Sequence, residues 1–244
     1  MEQDKIWSYF QNEAPEALCN SEGRLKYLAL QVKRRTKSGA KVLNVGLGAG
    51  LFEEQAIKLG LDVYSLDPDS EAIARLLSRP QMKGRAEVGS LQSIPFPHEA
   101  FNAVVVSEVL EHLSDETLEK ALSEIHRVLV WGGLIIGTVP AREKLIEQLA
   151  VCPHCGVNFH RWGHLQSFDE TRLRALLSRH FEVEVIEEKH LDSWSQLNWR
   201  GKALSLVKRS LLRVGIKGDG NSLYFSATKR DPARPGYSGE APIA

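Results

Sequence analysis

Two cysteines and two histidines lie within thirteen residues in the stretch CPHCGVNFHRWGH, residues 152–164. Cys152, Cys155, His160 and His164 have the spacing C-x2-C-x4-H-x3-H. Thiolates and imidazoles are the ligands that zinc prefers, and four protein ligands close a tetrahedral structural site. The spacing therefore predicts a structural zinc site that orders a loop with little core of its own. Two alternatives stay open: a nucleic-acid-binding knuckle, or histidines that contact a substrate.

A glycine-rich loop directly after an apolar stretch is the second chemical signal. VLNVGLGAG places Gly46, Gly48 and Gly50 where the chain can turn sharply and a ligand can approach backbone N–H groups at a helix start. Leu51 stands where a dinucleotide motif has its third glycine, which disfavours NAD or FAD. Asp67 ends the next apolar stretch, where a carboxylate accepts hydrogen bonds from ribose hydroxyls. The loop predicts a nucleoside-containing ligand; the alternative is a tight turn with a helix-capping aspartate.

Short apolar strands alternate with helices in the part of the chain that carries this loop. Strands are predicted at 41–46, 62–67, 86–89, 101–109 and 132–140, and helices at 52–60, 70–79 and 115–129. This order predicts an α/β fold with a mostly parallel sheet covered by helices on both faces.

The ends of the chain differ in pattern from this core. Residues 1–40 predict a helical segment, and residues 167–180 a helix that begins with a capping box between Ser167 and Glu170. The segments 181–190 and 221–229 alternate like an antiparallel pair at the edge of the sheet. The Pro- and Gly-rich tail, 231–244, predicts disorder.

The bulk composition suits one soluble domain. Of the 244 residues, 43% are hydrophobic, which is enough for a sizeable core. The 31 basic and 31 acidic side chains balance, so no general attraction to nucleic acid or acidic lipid is expected. The three cysteines, one of them Cys19, form a poor disulfide framework. With no apolar leader or membrane-length apolar run, we expect a cytoplasmic protein.

Several motifs together resemble the class I S-adenosylmethionine (SAM)-dependent methyltransferases, in particular the small-molecule type in which an EVLEHL segment starts the helix after the fourth strand. These are VLNVGLGAG, YSLDPD, GSLQSIPFPHEAFNAVVVSEVLEHL and EIHRVLVWGGLIIGTVP. The resemblance implies a Rossmann-like sandwich, a seven-stranded sheet with an antiparallel last strand, over residues 41–230. It also implies that the three loop glycines hold the methionine part of SAM, that Asp67 holds the ribose, and that Ser90 and Leu91 flank the adenine.

Three positions that are often acidic in this family are neutral here: Asn44, Ser90 and Asn102. Asn44 precedes the loop glycines and is still a predicted cofactor-binding residue. Because neutral hydrogen bonds are weaker than charge-assisted ones, a non-catalytic protein with this fold is an open alternative.

Glu108, Glu111 and His112 follow the fourth predicted strand, at the sheet edge where ligands bind in open α/β folds. We predict that they are catalytic, with His112 the first candidate for a base that removes a hydroxyl proton. The pattern E-x-x-E-H also resembles a divalent-metal cluster of certain RNA and quinone-precursor methyltransferases, and a purely structural role is the third alternative.

A basic helical insert is predicted at about 195–217. Its segment WRGKALSLVKRSLLRVGIK contains no acidic residue. It is either a solvated helix that covers the sheet edge or a surface for an anionic acceptor or lipid headgroups. The sequence as a whole predicts SAM-dependent methylation of a small-molecule or lipid- or glycan-linked acceptor at a hydroxyl group. A nucleic-acid-binding protein that uses the Cys/His knuckle and this helix is the remaining alternative.

Overall fold

A computed structural model describes residues 4–14, 21–218 and 220–230. Cys19 and the tail 231–244, for which we predict disorder, lie outside the described residues. None of the helices in the described ranges is long and apolar enough to cross a membrane.

One seven-stranded sheet forms the centre of the fold, in the order β3-β2-β1-β4-β5-β9-β8. β9 runs antiparallel to both β5 and β8, and the neighbouring pairs from β3 to β5 are parallel. A separate antiparallel pair joins β6 to β7. The strands are β1 (Lys41–Val45), β2 (Asp62–Asp67), β3 (Ala86–Val88), β4 (Phe101–Ser107), β5 (Leu129–Pro140), β6 (Leu149–Val151), β7 (Asn158–His160), β8 (Phe181–Lys189) and β9 (Ser222–Lys229).

Helices cover both faces of the sheet, which confirms the predicted α/β sandwich. The helices are α1 (Asp4–Asn12), α2 (Glu22–Arg35), α3 (Leu51–Lys58), α4 (Ser70–Leu77), α5 (Asp115–Val128), α6 (Glu170–Leu177) and α7 (Trp199–Arg213). One apolar core layer packs α2, α3 and α4 against the sheet, and the other packs α5 and α6. The central strand β4 is almost wholly buried, because parallel strands with helices on both faces must be apolar throughout.

Two local predictions are wrong. The N-cap of α6 is Asp169, whose side chain accepts a hydrogen bond from the backbone N–H of Arg172, so Ser167 forms no capping box. The EVLEHL segment does not begin the next helix: Leu110–His112 forms a short 3-10 turn, and α5 starts at Asp115 after a Ser114 cap. An aspartate one residue before the helix can reach the free N–H groups of the first turn, and it outcompetes the more distant serine.

Candidate active site

The glycine loop turns tightly between β1 and α3. Gly46, Gly48 and Gly50 all have positive φ angles of 82°, 54° and 73°, which side chains rarely tolerate. A Cβ on Gly46 would also lie 2.8 Å from Cγ2 of Val109. Since α3 begins at Leu51, directly after the loop, unpaired N–H groups of its first turn lie beside the loop. The tight turn between strand and helix is therefore present as the sequence indicates, and its binding of a ligand stays a prediction.

Asp67 ends β2 beside this loop and is almost fully buried. Its Oδ2 accepts hydrogen bonds from the backbone N–H of Leu47 (2.6 Å) and from Nε2 of Gln11 (3.1 Å), and its Oδ1 accepts from the N–H of Asp69 (2.9 Å). Burial raises the pKa of this carboxyl group above its usual value. The hydrogen bonds fix the carboxylate at the carboxyl end of β2, where the resemblance requires a ribose-binding acid.

Helix α1 covers the site. Besides the Gln11 contact with Asp67, the Trp7 ring packs edge-on against His112 with centroids 4.8 Å apart. Phe10 lies against Trp162, with ring centroids 5.2 Å apart. α1 therefore reaches from Asp67, the predicted ribose-binding residue, to the histidines on the other side of the sheet edge.

The neutral residue Asn44 is linked to a buried acid that sequence reasoning missed. Its Nδ2 donates to Oε1 of Glu53 (2.7 Å) and lies 3.3 Å from the carbonyl oxygen of Gly46. The hydroxyl of Ser65 donates to the same Glu53 oxygen at 2.7 Å. Glu53 is fully buried, and this burial raises its pKa. A carboxyl group thus lies behind the loop although position 44 is neutral. The sequence feature that could have revealed it is an acidic residue on the helix directly after the loop.

The other two neutral positions have different surroundings. Asn102 lies at the amino end of β4, where its Oδ1 accepts from the N–H of Lys41 at 3.0 Å. This is the end of the sheet opposite the glycine loop, so Asn102 lies away from the predicted cofactor site. Ser90 is exposed and Leu91 is buried just after β3. Both follow Gly89, whose N–H donates to the carbonyl of Asp67, so they lie just after the strand that pairs with the end of β2.

Glu108 and Glu111 are held in different ways after β4. Glu108 has a positive φ of 55°, an uncommon conformation for a residue with a side chain, and such strain is typical of functional sites. Its Oε1 accepts from the hydroxyl of Ser222 (3.1 Å) and lies 3.9 Å from Nε of Arg24. Glu111 is 1% exposed, and neither of its carboxylate oxygens has a hydrogen-bond partner among the described residues. Glu108 is tied into the scaffold, whereas Glu111 points an unpaired carboxyl group into the site.

Two histidines beside Glu111 have defined tautomers. Nδ1 of His112 lies 3.2 Å from the carbonyl oxygen of Gly163, which can only accept, so Nδ1 carries the proton. Nδ1 of His164 donates to the carboxylate of Glu143 in a short contact. In both rings Nε2 is left with the lone pair. Nε2 of His112 is buried without a partner among the described residues, and Nε2 of His164 lies 4.0 Å from Oε1 of Glu111.

His160 has the opposite tautomer. Its Nδ1 accepts from the backbone N–H groups of Trp162 (3.3 Å) and His164 (3.1 Å). Nε2 therefore carries the proton and faces Oε1 of Glu143 at 3.6 Å. At that distance His160 Nε2 makes no hydrogen bond with any described residue, so Glu143 orients His164 but is not itself held by His160. Glu143 was not predicted, because nothing in the sequence relates the residue after β5 to a histidine twenty-one positions further on.

The electrostatics of the cluster favour neutral groups. Burial and the neighbouring Glu108 raise the pKa of Glu111 well above its usual range. Burial and His164 lower the pKa of His112 to about 4, and burial lowers the pKa of His164 to about 4. Two neutral imidazoles with free lone pairs, beside a carboxyl group that ionises when a cation binds, are a ligand set that a divalent transition metal can use.

The predicted Cys2His2 site is not assembled in the structure. Among the described residues, the groups of three or more potential ligands are Glu111, His112, His164 and Glu143, His160, His164; neither contains a cysteine. Cys152 and Cys155 lie together at the tip of the β6–β7 hairpin, whereas His160 pairs with Leu149 at its base. Backbone hydrogen bonds from Cys155 and His154 lower the pKa of the Cys152 thiol. The extended hairpin separates the thiols from the histidines, which the sequence spacing alone did not reveal.

The comparisons with known proteins agree with this geometry. Residues 43–137 match a protein family described as a methyltransferase domain. The mitochondrial ubiquinone biosynthesis O-methyltransferase of Mus musculus is 35% identical over 121 residues, which are 47% of this chain and 32% of that protein. The ubiquinone biosynthesis O-methyltransferase of Bradyrhizobium sp. is 29% identical over 179 residues, 65% of this chain and 66% of that protein.

Solved structures show the same fold. The 1,6-didemethyltoxoflavin-N1-methyltransferase of Burkholderia thailandensis, with bound 1,6-didemethyltoxoflavin and S-adenosylhomocysteine (SAH), has a TM-score of 0.65 at 17% identity. The match covers 94% of this chain and 87% of that chain. The alignments span 32% of the mouse relative and 47% of a methyltransferase from Anoxybacillus flavithermus, so this chain matches less than half of each. Together these likenesses support an enzyme of the class I SAM-dependent methyltransferase type.

Proposed function

We propose that this protein transfers the methyl group of SAM to a hydroxyl oxygen of a small-molecule or lipid- or glycan-linked acceptor. The observation that carries the proposal is the meeting of two sites beneath α1. The glycine loop and Asp67 lie at one end of this helix, and the cluster of Glu111, His112 and His164 lies at the other. The names of the two O-methyltransferase relatives support an oxygen acceptor.

The reaction is an in-line displacement at the methyl carbon. The bond from sulfur to the methyl carbon breaks, the bond from the acceptor oxygen to that carbon forms, and SAH leaves with the electron pair. The acceptor proton must also leave. Because SAM is already activated, the protein mainly aligns the two reactants and excludes water. Trp7 and Phe10 of α1 cover the histidines and are placed to exclude water from the acceptor side.

The acceptor side fits a divalent cation. The Glu111 carboxylate and the Nε2 atoms of His112 and His164 lie beside one another and are buried or nearly buried. Most of these atoms have no hydrogen-bond partner among the described residues, so their burial carries a large desolvation cost. Glu111 and the Nε2 atoms of His112 and His164 would hold the cation, and Glu143 and the Gly163 carbonyl would orient the two rings. A bound cation supplies Lewis acidity, which lowers the pKa of an acceptor hydroxyl.

A direct base role of His112 is the weaker assignment. The pKa of His112 is lowered to about 4, far below that of a hydroxyl group. Proton transfer from the hydroxyl group to this ring is therefore strongly unfavourable. The same neutral ring with an exposed lone pair is a good ligand. We therefore assign His112 and His164 to binding and Glu108 to support of the turn, and we do not assign Cys152, Cys155 or His160 to a metal.

The non-catalytic alternative loses part of its basis. It rested on neutral residues at three positions, but Asn44 is hydrogen-bonded to the buried Glu53, and Asn102 lies at the far end of the sheet. Ser90 alone remains as a neutral residue near the expected adenine site.

The proposal is tested with SAM that carries a labelled methyl group. The protein is incubated with catechols, simple phenols, aliphatic alcohols and glycans, with and without added Mg²⁺, Mn²⁺ or Zn²⁺. We expect label on an acceptor oxygen in a cation-dependent reaction. Label on nitrogen or carbon, or no transfer to any hydroxyl by protein that binds SAH, would contradict the proposal.

A further inference from the structure

Helix α7 presents an apolar face to solvent rather than to the core. Among its residues only Ser205 is fully buried. Its exposed large apolar side chains, with the two that follow the helix, are Trp199 (73% exposed), Leu204, Leu206, Val207, Leu211, Val214 (72%) and Ile216. At about 100° per residue, those from Trp199 to Val214 fall within an arc of about 160°, and the exposed Arg200 of the first turn falls within the same arc. An ordinary surface helix buries an apolar face, and a large exposed one marks an interaction site.

The opposite side of α7 is fixed to the protein. Asn198 caps the helix by accepting from the N–H of Gly201 at 2.9 Å. Nη2 of Arg209 donates to Asp192 at 2.5 Å, and Lys217, just beyond the helix, pairs with Glu170 at 3.0 Å. The orientation of the helix is therefore set by polar contacts on its inner side, and these contacts turn the apolar side outward.

Cations border the apolar face on both sides. On the helical wheel, Lys208 follows Leu204 at one edge and Arg213 adjoins Leu206 at the other, and both cations are exposed. Arg200 lies in the first turn over the ring of Trp199. The helix contains no acidic residue. An apolar stripe with a tryptophan and cationic borders is the pattern of a helix that lies in the headgroup layer of a membrane.

We propose that the outer face of α7 docks this protein on the surface of an anionic lipid bilayer. The helix lies parallel to the membrane plane, with the apolar side chains among the acyl chains and with Lys208 and Arg213 at the phosphate level. The proposal does not depend on the proposed function, since it is measured without SAM or acceptor.

Two other occupants fit less well. A second copy docked through the same face would bring the cationic borders together without an acid on the helix to pair with them. The chain's own residues 231–244 include only Tyr237 and Ile243 as large apolar side chains, too few to cover seven.

The test is sedimentation of the full chain with vesicles of phosphatidylcholine alone and of phosphatidylcholine with phosphatidylglycerol. We expect binding to the anionic vesicles that weakens as salt is added. Lys208→Glu with Arg213→Glu should lower the partition coefficient at least about tenfold. Leu204→Ser, Val207→Ser and Leu211→Ser together should abolish binding, and because these side chains are exposed, the fold should survive. The matched control is Ile146→Ser with Val151→Ser, two exposed apolar residues outside α7, and it should bind like the wild type.

A blue shift of Trp199 fluorescence on vesicle binding, absent in Trp199→Phe, would support insertion of this face. Failure of the folded wild type to bind anionic vesicles would overturn the proposal, as would equal binding by the triple serine variant. A wild-type dimer that the triple variant converts to a monomer, with no lipid binding by either, would assign the face to a second copy instead.

Discussion

The two parts of the proposed active site, here called the donor side and the acceptor side after their proposed roles, are built on different principles. The donor side comprises Gly46, Gly48, Gly50 and Asp67, which lie within twenty-two residues of one another and act through backbone conformation and one carboxylate. The acceptor side draws on residues 108–112, on Glu143 after β5 and on the turn 160–164, and it acts through a chain of side-chain hydrogen bonds.

The two sides therefore differ in how far their structure can be predicted from sequence. A strand–glycine–helix turn is specified by neighbouring residues, so it can be recognised in the sequence whatever the acceptor is. The acceptor side is specified by contacts across long sequence separations. Changes on the donor side should therefore abolish cofactor binding, and changes on the acceptor side should leave it intact.

His164→Ala is expected to distinguish the two sides most clearly, because it should impair catalysis without changing cofactor binding. We predict a loss of about a thousandfold in kcat, the equivalent of about 4 kcal/mol, with unchanged affinity for SAH. In the proposed cation site, the removed ring would supply one Nε2 ligand beside Glu111. Steady-state kinetics and an SAH titration measure both quantities. The matched control is His154→Ala at the exposed hairpin tip, which should retain full activity.

A smaller effect is expected from Glu143→Gln. The carboxylate holds His164 in the tautomer that frees Nε2, so its loss should weaken cation binding by about 10–100-fold without removing a ligand. Competition with a metal indicator measures this affinity directly. Glu147→Gln, an exposed neighbour paired with Lys144, is the control. Equal cation affinity in Glu143→Gln and the wild type would show that the tautomer is not set by Glu143.

Glu111→Gln should stabilise the cation-free protein while it removes cation binding. Burial raises the pKa of Glu111 in the folded state, so folding favours its protonated form. The wild type therefore loses stability as pH rises above the ordinary glutamate pKa of 4.5, and the variant does not. We expect a gain of about 2 kcal/mol at pH 8 that shrinks toward pH 4.5. Denaturant unfolding in chelator at several pH values measures it, and Glu116→Gln, which is exposed, should change little.

The smallest effect is expected from the double variant Cys152→Ser, Cys155→Ser. The spacing of the four Cys and His residues predicts loss of zinc, whereas their separation in the structure predicts unchanged metal content. Metal analysis of the purified variant decides between the two. A loss of about one zinc per chain would restore the predicted Cys2His2 site.

Features specified by neighbouring residues were predicted from the sequence, and features that depend on distant residues were not. The order of strands and helices was predicted because apolar periodicity is local. The loop glycines were recognised because glycine adopts positive φ angles far more readily than other residues. The Asn44–Glu53 hydrogen bond was missed, since a helix had to place the acid behind the loop before it could matter.

The Cys/His segment shows the limit most clearly. The spacing of its residues predicts one zinc site. In the structure, however, the two thiols lie at the tip of a hairpin and the two histidines lie at or just beyond its base. The histidines belong to a cluster completed by Glu111, His112 and Glu143, which are distant in sequence. Spacing within a segment cannot reveal partners that the fold brings from elsewhere.

The central claim is that the donor side works and is independent of the acceptor side. Calorimetric titration with SAH of the wild type, Asp67→Ala and His164→Ala tests it most directly. We predict that the wild type and His164→Ala bind SAH equally, and that Asp67→Ala binds at least about 100-fold more weakly because two charge-assisted hydrogen bonds to the ribose are lost. No binding by folded wild-type protein, or equal binding by Asp67→Ala, would contradict the account.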